Sequence, residues 1–91
     1  MTVEVCDLGT WQPLVLAAEY DAERDAIRIN VRAVARVRRA LGNAAAERFV
    51  ACAIAHERFH RACPGATEAE AHAYARAATG SDPRTFEEVL R

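Results

Sequence analysis

Residues Ala44–Cys63 read AAAERFVACAIAHERFHRAC. Seven alanines and no internal Gly or Pro make this the strongest helix signal in the chain, because alanine loses no side-chain entropy in a helix. Pro64-Gly65 cannot continue a helix and stops it. Inside the stretch stands His56-Glu57-Arg58-Phe59-His60, a literal HExxH. Residues four apart lie on one helical face, so both imidazoles can aim at one ion. The glutamate beside the first of them is placed to hold a metal-bound water and take its proton.

Two histidines do not complete a catalytic zinc site, which takes three protein ligands and one open position. Cys63 and Ala66 stand where a metzincin has its Gly and third His, so that variant is excluded. Cys63 shares the face of residues 56 and 60. It lies roughly 7–8 Å along the axis from an ion centred at position 58, at 1.5 Å per residue. The next helix, expected over Thr67–Thr79, offers Glu68, Glu70 and His72. The turn at residues 64–66 would fold it back onto the first helix. Thr67-Glu68-Ala69-Glu70 also fits a capping box, in which the Glu70 carboxylate bonds the cap instead.

Upstream, the period changes. Ala26–Asn30 (AIRIN) alternates, with Ile27 and Ile29 on one face and Arg28 on the other. Leu14–Tyr20 reads as its partner strand across the polar turn Asp21–Asp25, which is a hairpin signal. Thr2–Val5 also alternates. Val31, Val34, Val37 and Leu41 recur at helical spacing, with Asn30 as N-cap and Gly42-Asn43 as stop. Downstream, Ser81-Asp82-Pro83 opens a short helix with Asp82 as cap and Pro83 in the first turn. It carries Phe86, Val89 and Leu90 back onto the body.

The chain has 91 residues and a net charge of −1, enough for one modest core. A single domain over residues 1–91 is expected, of α+β class: a hairpin or small antiparallel sheet packed on about three helices plus a short C-terminal one. No apolar run reaches the roughly 18 residues of a membrane helix, and the N-terminal stretch is acidic rather than signal-like. A cytoplasmic location follows as the expectation. Three cysteines, Cys6, Cys52 and Cys63, form no CxxC pair, so reduced thiols are expected.

His56-Glu57-x-x-His60 followed by Glu70-Ala71-His72-Ala73-Tyr74-Ala75 resembles the gluzincin metallopeptidases. It is especially similar to the minimal ImmA/IrrE-like zincins, in which a second helix carries Glu-Ala-(Asn/Asp/His)-x-(Phe/Tyr)-Ala. Glu19-Tyr20-Asp21 and Ile27–Asn30 are similar to the hairpin that precedes the active-site helix in such domains. The resemblance spans about residues 14–78. It implies Zn2+ held by His56, His60 and Glu70, and peptide-bond hydrolysis with Glu57 as general base. Tyr74, one turn after Glu70, is the candidate donor to the oxyanion. If Ala26–Asn30 is a sheet edge, an extended peptide could add to it as a strand.

Other readings stand beside this one. Arg28, Arg32, Arg36 and Arg39 form a ridge, and residues 24–48 carry seven arginines against Asp25 and Glu47, so nucleic acid is the rival partner. A solvated helix face accounts for the same pattern. A zincin-like domain without catalysis, or a zymogen with residues 1–13 over the cleft and Cys6 blocking the metal, is the third class. The expected partner is a peptide or protein substrate, with no membrane, and the chain a monomer or homodimer.

Overall fold

The computed structural model describes residues 1–10 and 17–91. Three strands, β1 (Thr2–Cys6), β2 (Ala18–Asp21) and β3 (Ala26–Asn30), precede four helices, α1 (Val31–Leu41), α2 (Asn43–Ala62), α3 (Glu68–Thr79) and α4 (Pro83–Leu90). The α+β class and the packing of a small sheet on helices are as expected from the sequence. Leu14–Leu16 and Trp11 lie outside the described residues, so the expected strand Leu14–Tyr20 is seen only as β2. Among the described residues no helix is long and apolar enough to cross a membrane.

The hairpin forms because the turn between β2 and β3 has the required chemistry. The Asp21 carboxylate accepts from the amides of Glu23 and Arg24, and Asp25 takes the left-handed conformation at φ 48°, which Asp tolerates better than most residues. β2 and β3 pair antiparallel, with Tyr20 opposite Ile27 and Glu19 opposite Arg28. The sheet is nevertheless mixed, because β1 pairs with the other side of β3 in parallel, Val3 opposite Ile27. The order is β1-β3-β2. β3 is therefore the central strand, and the expectation that it offers an edge for strand addition does not hold. Its buried run, with Ala26, Ile27, Ile29 and Asn30 all covered, is what a central strand requires.

Asn30 ends β3 and begins α1. Its side-chain oxygen accepts from the amides of Arg32 and Leu8, and its amide group donates to the Gly9 carbonyl. One fully buried side chain thus caps α1 and ties it to the segment after β1. The buried face of α1 is Ala33, Val34 and Val37. Val31 and Leu41, expected in the same stripe, sit at the helix ends and are exposed.

The core lies between the sheet and the helices, with Ile27 and Ile29 from β3, Val37 from α1, Phe49 from α2 and Phe86 and Leu90 from α4. The Phe49 and Phe86 rings meet edge to face at 5.4 Å. Small side chains set how closely α2 and α3 approach. Ala71 and Ala75 of α3 are fully buried against the bundle, and this close contact determines which residues of α3 reach the HExxH face.

Candidate metal centre

An ion-pair hub at Asp25 fixes the end of α2. Arg61 donates from Nε and Nη2 to the two oxygens of Asp25 at 2.7 and 3.2 Å, and Tyr20 donates its hydroxyl to the same carboxylate at 2.6 Å. The Arg61 guanidinium, followed by the Tyr20 hydroxyl, holds the Asp25 carboxyl well below the usual carboxylate range. The hairpin turn is thereby locked to the residue that follows His60.

On α2, the His56 and His60 rings lie edge to face with centroids 4.8 Å apart. Both are half-buried, and Glu57 is buried. His56 Nδ1 lies 3.1 Å from Glu57 Oε1. This hydrogen bond is the first cause holding the His56 pKa above its ordinary value, against the opposing effect of burial. With Nδ1 engaged by Glu57, Nε2 is the nitrogen that a metal would take in the neutral ring, and in the imidazolium it donates to Glu68. That Nε2 faces Glu68 Oε2 at 3.1 Å, while His60 Nε2 faces Glu68 Oε1 at 2.8 Å. Burial raises the Glu68 pKa, but the two imidazoles outweigh it and bring the carboxyl below its ordinary value.

The residue from α3 that meets the two histidines is therefore Glu68, not Glu70. Thr67 caps α3 and Glu70 closes the capping box: Thr67 Oγ1 accepts from the Glu70 amide, and Glu70 Oε1 accepts from the Thr67 amide, each at 3.1 Å. Those bonds to Thr67 lower the Glu70 pKa. Two residues further along is roughly 200° round a helix, so Glu68 and Glu70 leave it on nearly opposite sides. Glu68 and His72 are four apart and share a side. His72 accordingly joins the cluster, its ring 5.2 Å from that of His56. His72 Nε2 lies 3.8 Å from Glu68 Oε2 and 3.2 Å from Glu87 Oε1 of α4.

His56, Glu68 and His72 offer ligand atoms all within 4.8 Å of one another, and this group could hold a metal ion. The donor set suits a cation. Three imidazole nitrogens lie 2.8 to 3.8 Å from the Glu68 oxygens, near the about 3 to 4 Å that ligands of one ion have from each other for bonds near 2.1 Å.

The other sequence candidates lie elsewhere. Tyr74 is exposed and its ring stacks on Phe59 at 5.0 Å. Cys63 is exposed at the end of α2. Cys6 lies on β1, across β3 from the strand that borders the cleft. In the arginine ridge, Arg28 pairs with Glu19 and Arg32 with Asp7. Glu87 was not among the sequence candidates. Nothing local marks it, because only the packing of α4 brings it to His72.

A cavity of about 640 Å³ adjoins the cluster. Ala18 of β2, Phe49 and Ala53 of α2 and Phe86 of α4 wall it, and His56, Glu57, Glu68 and His72 also line it. No family model, curated protein or solved structure matches the chain.

Proposed function

We propose that this chain is a metal-dependent peptide hydrolase, with zinc held by His56, His60 and Glu68. The observation that carries the reading is the convergence of both HExxH imidazoles on a single carboxylate, Glu68, beside an apolar cavity. When bound there, zinc would polarise a carbonyl and lower the pKa of a coordinated water towards about 7. Glu57 does two things in this scheme. One oxygen orients His56 through Nδ1, and the other is available to hold a water in the cavity and take its proton. The proton then passes to the leaving amine. The low exposure of Glu57 favours this role, since few competing waters reach it.

The cavity wall supplies a place for substrate. Ala18 of β2 and the preceding Ala17 line it, and among the described residues no strand pairs with the outer side of β2. An extended peptide laid along β2 would gain main-chain hydrogen bonds and run past Glu57. Strand addition is thereby reassigned from β3 to β2.

The test is zinc content together with cleavage of a mixed peptide library read by mass spectrometry. Wild-type protein should carry zinc and cleave, and His56→Ala should lose both. Glu57→Gln should keep its zinc and lose at least about 100-fold in rate, the scale of a general base. Cleavage at an unchanged rate by zinc-loaded Glu57→Gln would overturn the mechanism.

A further inference from the structure

We infer that the cavity beside the metal centre is the subsite for one large apolar side chain of the peptide, leucine, methionine or phenylalanine, at a residue flanking the bond that is cut. The inference rests on the hydrolase reading above and names the substrate class of that site. It begins on α2. Phe49, Ala53 and Glu57 are four apart and share one side of the helix, and all three line the cavity. The apolar wall thus starts one helical turn, about 5.4 Å, before the carboxylate that takes the proton from water. A leucine, methionine or phenylalanine side chain spans that distance from a backbone held at Glu57, whereas the side chain of alanine does not. Ala53 contributes only a methyl group, so nothing large stands between Phe49 and Glu57 on this side of α2.

α4 supplies a second apolar wall. Phe86 and Leu90, also four apart, are buried and line the same cavity. Phe86 meets Phe49 edge to face at 5.4 Å, so the two walls join through aromatic rings. Such rings pack well against a further ring or a thioether. Cys52, also in the lining, already directs its thiol to the Ser81 carbonyl at 3.8 Å. A polar side chain among Phe49, Ala53, Phe86 and Leu90 would leave water and find no hydrogen-bond partner on those four side chains, which costs free energy that an apolar one does not lose. The charged lining groups are instead drawn together around the histidines: Glu57 and Glu68 on His56, and Glu87 on His72. The volume of about 640 Å³ lies within the roughly 300–1,000 Å³ of ligand pockets, whose walls are mostly apolar with a few convergent polar groups.

The test pairs cleavage with direct binding. In the peptide library, zinc-loaded protein should cut bonds flanked at one fixed position by Leu, Met or Phe about 10-fold or more faster than bonds with Gly, Ser or Asp there, the scale on which an apolar pocket discriminates. Ala53→Leu, whose larger side chain fills the space, should lower the preference for Phe over Ala at that position by about 10-fold or more, and zinc content equal to wild type checks that the variant folds. N-acetyl-phenylalanine amide added to wild-type protein should shift the NMR signals of Phe49, Phe86 and Leu90, and N-acetyl-glycine amide should not. This arm needs neither an altered protein nor turnover. Cleavage with no apolar preference, or equal shifts with both amides, would overturn the subsite and leave the hydrolase standing. No cleavage of any peptide by zinc-loaded protein would remove the hydrolase and this assignment with it, whichever amide binds.

Discussion

Glu68 and Glu70 show how two identical side chains two positions apart acquire different work. Glu70 is three residues after the cap Thr67 and satisfies an amide that the helix itself leaves unpaired. Glu68 is the first residue of α3, has no such local partner, and points to α2. The two should separate cleanly by substitution. Glu68→Ala should weaken zinc binding by more than the about 10–100-fold typical of losing an outer-shell partner. Glu70→Ala should leave zinc affinity within a few-fold and lower stability by about 0.5–1 kcal/mol through the lost cap. Competition with a chelator and urea denaturation measure the two effects. Equal loss of zinc in both variants would contradict this division.

At the level of elements, the junction of β3 and α1 depends on Asn30. Its side chain makes the three hydrogen bonds to Arg32, Leu8 and Gly9 described above while fully buried. Asn30→Ala removes a helix cap and leaves half-buried backbone groups without that partner, a combined loss of about 1–3 kcal/mol. Urea unfolding should show it as a lower midpoint at unchanged slope. A loss below about 0.5 kcal/mol would mean that the junction is held by other contacts. The hairpin and the four helices follow local rules of this kind: period, cap, turn and stop. The parallel pairing of β1 with β3 does not, because the partner of an alternating strand is a long-range choice that the strand's own residues do not encode.

For the whole molecule, one polar link between sheet and helix bundle passes through Asp25, which gathers Tyr20 of β2 and Arg61 of α2 on one carboxylate. Because its folded-state pKa is depressed, its contribution is fully present above the unfolded-state value of about 3.9. It is lost as pH falls below that value towards the folded pKa. Asp25→Asn should therefore lower the Tm at pH 7, and the gap from wild type should narrow between about pH 4 and pH 2. A gap that stays constant over that range would show that the carboxylate's charge is not what joins the two layers.

Local residues specify the HExxH helix, its stop at Pro64-Gly65, the caps at Asn30, Thr67 and Asp82, and the hairpin turn, because each depends on residues a few positions apart. The capping box is legible in the same way, and it bears against Glu70 as a ligand. Packing between helices places Glu68 and His72 against the HExxH face, brings Glu87 to His72, and turns Tyr74 to Phe59 instead. Those outcomes depend on the rotation of α3 about its own axis and on where α4 lands. Both are set by how closely helices pack over Ala71, Ala75 and Phe86, which is a property of the assembled core and of no single segment.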